Sequence, residues 1–359
     1  MKTFQCHCGN ILNFENTLCL ACGRSLGYLS DEKLLSALEP AADGLWLAMS
    51  NGRNYRQCKN YSHYNVCNWM VAESDVHAFC LSCRLNHIIP NLNDPQNHTL
   101  WYRVEQAKRR LLYTLFGLKL PIVSWDVDPR GMGFEFLRDE VAGDVFSTEL
   151  TIRQSIATGH RAGMITINLL EAEHSLRVEM REKMNENYRT LLGHFRHESG
   201  HYFWDRLISG TGNLDGFREL FGDERVDYSL ALKSYYDQGP PPSWADVWIS
   251  AYASVHPWED WAETWAHYLH MVDTLETARD FDFNFHADAG SLAGDGGEGS
   301  DRIEGSGFDG MFNDWCRLSA ALNALNRSMG LEDAYPFVIS PLALTKLRFV
   351  HRMVIGSGG

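Results

Sequence analysis

Apolar residues recur at helical spacing through residues 101–116, while Lys108, Arg109 and Arg110 gather on another face and Gly117 ends the pattern. This predicts an amphipathic helix with a solvated basic face. Shorter apolar runs at 122–127, 134–137 and 164–168 read as strands, the last set off by Thr158-Gly-His-Arg-Ala-Gly. The run at 164–168 is expected to form a sheet edge to which an extended peptide could add. Helical periodicity returns from residue 171, breaks near Asn185, and resumes over 188–208 until Ser209-Gly-Thr-Gly stops it. A helix over 214–236, a Gly-Pro-Pro-Pro turn at 239–242 and a strongly periodic helix from Trp258 follow. Residues 313–327 predict another helix, residues 336–352 a segment that packs back onto the domain, and residues 31–49 include a short helix. The Gly- and Asp-rich stretch 286–310 reads as a loop or lid.

Eight of the nine cysteines fall into two sets of four. Cys6, Cys8, Cys19 and Cys22 form a compact set whose Cys-Gly turns aim backbone amides at sulfur, the zinc-ribbon design. Cys58, Cys67, Cys80 and Cys83 combine one tight pair with one loose pair. Each set offers four thiolates to a structural zinc ion; iron fits the same sulfur tetrahedron, and pairing across the sets is also open. His7, His63 and His77 are then surface residues. Residues 1–90 look too small and polar to fold unaided, so metal binding is expected to fold them. Cys316 has no partner in sequence and is expected as a buried free thiol.

Residues 197–201 read His-Glu-Ser-Gly-His, an HExxH motif. Four-residue spacing on a helix stacks His197 and His201 on one face, where two imidazoles can grip one metal ion. Glu198 points to the same rim and can serve as general base toward a metal-activated water. Catalytic zinc needs a third protein ligand. Glu259 and Glu263, four apart on the later helix, are both candidates; His256 and His267 compete but read as packed histidines. Trp258, Trp261 and Trp265 share helical spacing and are expected in the core. Asp223 and Glu224 read as a solvated helix end, and His194 as a packing residue.

These two helices resemble the gluzincin metallopeptidases, above all the branch that contains the anthrax lethal factor protease domain. The likeness rests on HExxH and on the spacing in Tyr252-Ala-Ser-Val-His-Pro-Trp-Glu259-Asp-Trp-Ala-Glu263. It implies that Glu259 is the third zinc ligand, that Glu263 orients a ligand histidine, and that Tyr252 donates to the oxyanion. Across most of its length the chain resembles a bacterial family of zinc-binding metallopeptidases with an N-terminal zinc ribbon. The stretches Leu-Leu-Gly-His-Phe-Arg-His-Glu-Ser-Gly-His and His-Pro-Trp-Glu-Asp-Trp-Ala-Glu-Thr-Trp-Ala-His-Tyr carry that likeness. The implied fold class is α+β: a zinc-ribbon region over 1–90, a linking helix over 91–120, and a mostly helical zincin-like domain with a small sheet over 121–359.

Composition narrows the function classes. Apolar content of 45% and charged content of 22% suit a globular chain. The net charge of −14 argues against nucleic-acid binding, which draws on a basic surface. No run of eighteen apolar residues suggests a membrane span, and Met-Lys-Thr-Phe-Gln-Cys opens no secretion segment, so a reducing cytoplasmic setting is expected. The leading expectation is a peptidase with one catalytic and two structural zinc ions, a peptide or protein substrate, and a protein partner recruited by the ribbon region. Two alternatives are a zinc-ribbon binding or regulatory protein and a hydrolase of an isopeptide or other non-peptide amide.

Overall fold

The computed structural model describes residues 1–138, 141–142, 151–152, 158–173, 190–283 and 301–357. Two compact units make up the chain: Met1–Leu112 with Ile122–Lys183, and Tyr113–Pro121 with Met184–Gly359. No helix among the described residues is long and apolar enough to cross a membrane.

The first unit is built on a five-stranded antiparallel meander, Ser25–Leu29, Leu34–Pro40, Trp46–Ala48, Asn54–Gln57 and Met70–Ala72. This corrects the helix expected within 31–49. Leu34, Leu35, Ala37 and Leu38 suit a helix face or a strand equally well. Here Leu35 pairs with Tyr28 and Ala37 with Leu26, and a sheet covered on both faces wins over local propensity. Phe14, Tyr28 and Trp69 pack together in the core, Phe14 edge-on to Tyr28 with centroids 4.9 Å apart and Tyr28 tilted against Trp69 at 4.8 Å. The region thus has more apolar core than its polar sequence suggests.

The helix Pro95–Gly117 forms as expected, but of its basic triplet only Arg110 stays partly exposed. Lys108 and Arg109 are fully buried. Lys108 pairs with Glu105 at 2.9 Å, Arg109 donates to the Val66 carbonyl, and Arg110 meets Glu15 at 2.5 Å. Lys108 and Arg109 each face an acceptor, without which burial of the charge would be prohibitive.

A second sheet runs in the order Gly159–Arg161, Met164–Asn168, Gly133–Leu137, Asn86–Ile88. Met164–Asn168 is paired on both sides, antiparallel to Gly159–Arg161 and parallel to Gly133–Leu137. It is therefore an inner strand, and the added-peptide expectation fails for it. The tight turn at Ala162 (φ 49°) and Gly163 (φ 92°) folds the hairpin partner over its free side. The strand expected over 122–127 is reduced to one bridge, Ser124 to Met132.

The second unit is helical: Leu191–Leu207, Leu214–Phe221, Tyr228–Gln238, Trp244–Val247, Pro257–Asp280, Asp301–Ser328 and Pro341–Ser357. The single helix expected over 214–236 is two. Gly222, at φ 102°, ends the first, and Asp227 caps the second by accepting from the Leu230 amide at 3.0 Å. Residues 301–310 of the expected loop are helical, with a kink at Gly307; residues 286–300 lie outside those described. The helix expected to start at 171 is a short 3-10 turn, Leu169–Ala172, and its continuation also lies outside them. Cys316 is exposed rather than buried, because its helix turns Trp315 inward instead.

Candidate metal centres

The motif helix Leu191–Leu207 begins at Thr190, whose hydroxyl accepts from the Gly193 amide at 2.9 Å. His197 and His201 leave one face of it, ring centroids 4.9 Å apart. The acid helix Pro257–Asp280 begins at His256, whose Nδ1 accepts from the Trp258 amide at 3.1 Å and whose Nε2 donates to the Val226 carbonyl at 3.0 Å. The cap and the Val226 contact together engage both nitrogens, so His256 is no ligand. His267 is buried against the Tyr335 hydroxyl, 2.7 Å away, and burial lowers its pKa to about 4.

Small and aromatic residues press the two helices together. A Cβ on Gly200 would sit 2.9 Å from the Ala262 Cα, so the motif's glycine is required by the close approach. Trp261 and Trp265 are fully buried, as expected, and donate to the Gly200 carbonyl at 2.8 Å and the Ser199 hydroxyl at 3.1 Å. Truncating a buried tryptophan costs about 3–5 kcal/mol. A hydrogen bond nets only about 1 kcal/mol. Ring packing, more than polar contact, therefore sets the helix spacing that the site needs.

That spacing brings Glu259 to the histidines. Its Oε2 lies 2.9 Å from His197 Nε2 and 3.5 Å from His201 Nε2, and the three ligand atoms all fall within 4.8 Å of one another. Tetrahedral zinc with nitrogen and oxygen bonds of about 2.0–2.1 Å separates its ligands by about 3.4 Å. Glu259 Oε2 is buried and makes no hydrogen bond, an orphan unless a cation meets it. The donor set fits zinc.

Glu263 takes a different position. Its Oε1 accepts from His197 Nδ1 at 2.7 Å, and its Oε2 accepts from the Ser250 hydroxyl at 2.6 Å. Burial by itself would lower the His197 pKa, but Glu259 and Glu263 outweigh it and hold the pKa well above the usual imidazole range. Both carboxylates are kept low against burial, Glu259 chiefly by His201 and Glu263 chiefly by His197. Glu198, by contrast, is raised by burial. Tyr252 places its ring 6.0 Å from that of His197, and burial raises its phenol well above normal.

The cysteine sets converge in the first unit as two separate clusters, Cys6, Cys8, Cys19, Cys22 and Cys58, Cys67, Cys80, Cys83. Sulfur separations are 3.8 Å for Cys6–Cys22, 3.7 Å for Cys8–Cys19 and 3.8 Å for Cys67–Cys80. A disulfide would need about 2.05 Å. Zinc–sulfur bonds of about 2.3 Å give a tetrahedral edge of about 3.8 Å. The Cys80 amide donates to Cys58 Sγ and the Trp69 amide to Cys67 Sγ, each at 3.4 Å. Burial opposes the Arg109 charge, yet Cys67, Glu105, Cys83 and Cys80 outweigh it, so this cation sits in the field of the second cluster. His7, His63 and His77 are exposed.

Comparison with known proteins bears directly on these centres. Residues 97–353 match the family described as "putative zinc-binding metallo-peptidase", and residues 3–94 match a zinc-ribbon domain. The chain belongs to this metallo-peptidase family. Uncharacterized proteins of Mycobacterium tuberculosis and Mycobacterium bovis are each 40% identical over 357 residues, 99% of this chain and 95% of theirs. No solved structure matches. The zinc-ribbon match covers both sulfur clusters, and the metallo-peptidase match covers HExxH and the acid helix.

Within the metallo-peptidase region, three neighbours of the candidate ligands escaped the sequence reading. Tyr228 donates its hydroxyl to Glu259 Oε1 at 2.7 Å. Ser250 holds Glu263, as above. Trp258, expected in the core with the other tryptophans, instead lies partly exposed against the His201 ring, centroids 3.8 Å apart. No periodicity marks Tyr228 or Ser250, because each reaches the site through a fold contact from outside the two motif helices. Asp223 and Glu224 pair with Arg225 and Arg218 at a helix end.

Proposed function

We propose that this protein is a gluzincin-type zinc peptidase that hydrolyses peptide bonds with Glu198 as general base. The observation that carries the reading is the approach of Glu259 Oε2 to both Nε2 atoms, 2.9 and 3.5 Å, beside the buried acid Glu198. His197, His201 and Glu259 would hold the catalytic ion. A zinc ion there would supply Lewis-acid polarisation of the scissile carbonyl and a more acidic water. Glu198, its pKa raised by burial, takes the proton of the attacking water and passes it to the leaving amine. Glu263 accepts from His197 Nδ1–H, which fixes the tautomer that presents the Nε2 lone pair inward. Tyr252 donates a hydrogen bond to the developing oxyanion.

On this reading the two cysteine clusters hold two structural zinc ions and the His/His/Glu set one catalytic ion. The substrate is a peptide or protein, the ribbon region recruits a partner, and free thiols suit a reducing, cytoplasmic setting. A purely structural role for the His/His/Glu site leaves the buried Glu198 without a task. Replacing Glu198 with Gln is expected to keep the zinc content and cost roughly 10²–10⁴-fold in peptide turnover. Metal analysis and a peptide-library assay on the two proteins check this; equal turnover would refute the general-base role.

A further inference from the structure

We infer that Tyr228 is a positioning residue that holds Glu259 as a one-oxygen metal ligand. The two oxygens of this buried carboxylate are used differently. Oε1 accepts the Tyr228 hydroxyl at 2.7 Å. Oε2 makes no hydrogen bond and points at the histidine nitrogens, 2.9 and 3.5 Å away. A carboxylate free at both oxygens can chelate one cation with both, filling a coordination position that a water or substrate oxygen needs. The phenol prevents this by engaging one lone-pair set of Oε1 and fixing the carboxylate plane.

Tyr228 is well placed for the task. It is the first residue of the helix Tyr228–Gln238, set by the Asp227 cap, and its ring packs edge-on against His256 at 5.5 Å and Trp258 at 6.0 Å. Those two residues begin the helix that carries Glu259, so donor and acceptor are oriented by the same turn.

The inference rests on the His/His/Glu set binding metal, and its test reads metal rather than turnover. Tyr228→Phe removes the donor and keeps the ring. In the full chain, zinc affinity of the His/His/Glu site is expected to fall about 10–100-fold, the usual cost of losing a partner of a metal ligand. With cobalt(II) in that site, the visible d–d bands should weaken as the second carboxylate oxygen enters. The metal-free protein should melt as the parent does, and sulfur-bound zinc should stay. Unchanged affinity with an unchanged cobalt spectrum overturns the inference. So does a fall in affinity matched by a lower melting temperature of the metal-free protein, which would assign Tyr228 to packing. A parent protein that binds zinc but cuts no peptide sinks the peptidase reading and leaves this inference standing.

Discussion

The two sulfur clusters and the His/His/Glu site gather metal-ligating side chains by opposite strategies. Each sulfur cluster presents four thiols, the second set wholly buried, with two of its sulfurs accepting from the backbone amides of Trp69 and Cys80. Four sulfur donors complete a tetrahedron and leave nothing to react. The His/His/Glu site offers three donors, keeps His197 and Tyr252 partly exposed, and sets a buried acid beside them. Its candidate ligands come from two helices that aromatic packing brings together, and other side chains fix two of them: Tyr228 on Glu259 and Glu263 on His197. Local turns build a closed site cheaply. An open site needs a scaffold that holds incomplete coordination in place.

The sharpest break of that comparison is a reciprocal pair of substitutions. His201→Ala is expected to remove one zinc ion per chain, bring hydrolysis to background and leave the sulfur-bound metal intact. Cys80→Ser should do the converse, releasing metal from the second cluster, where zinc binding in comparable small sites is worth about 10–16 kcal/mol, and loosening the first unit. Native mass spectrometry counts the ions, and hydrogen exchange locates the loosening. Loss of all metal from either variant would mean that the sites are not independent.

A smaller effect probes the partner of the open site. Glu263→Gln should weaken zinc at the His/His/Glu site by about 10–100-fold and leave the sulfur clusters untouched. Competition with a chromophoric chelator measures it, and parental affinity would remove Glu263 from its orienting role. Smaller still is the scaffold term. Gly200→Ala must push a methyl toward the Ala262 Cα, 2.9 Å from the built Cβ, and should cost about 1–3 kcal/mol of stability. A chemical denaturation curve reads this, and a neutral result would mean that the helices have slack at that crossing.

Much of the site was legible because its spacing is local. His197 and His201 share a helix face by periodicity, and Glu259 and Glu263 do the same on the second helix. Cys6/Cys8, Cys19/Cys22 and Cys80/Cys83 are local pairs on short turns, whereas Cys58 and Cys67 meet through the fold. The misreadings fall where distant contacts overrule local pattern. Leu34–Pro40 carries a face that suits a helix, but it is a strand because neighbouring strands cover both its sides. Lys108 and Arg109 look like a solvated face, yet Glu105, Val66 and the second sulfur cluster supply their partners. The α+β order of ribbon then helices was implied by the family resemblance, while the five-stranded sheet was not.

By itself the sequence determined the ligand chemistry: which residues bear sulfur, imidazole or carboxylate, and at what helical or turn spacing. Only the tertiary structure decided which groups each of the two carboxylates meets. Glu259 and Glu263 are chemically the same and one helical turn apart. Their difference comes from what faces each: two Nε2 atoms and the Tyr228 phenol for one, His197 Nδ1 and the Ser250 hydroxyl for the other. Helix periodicity places a side chain on a face, but only the packing of a second helix against that face determines which atoms it meets.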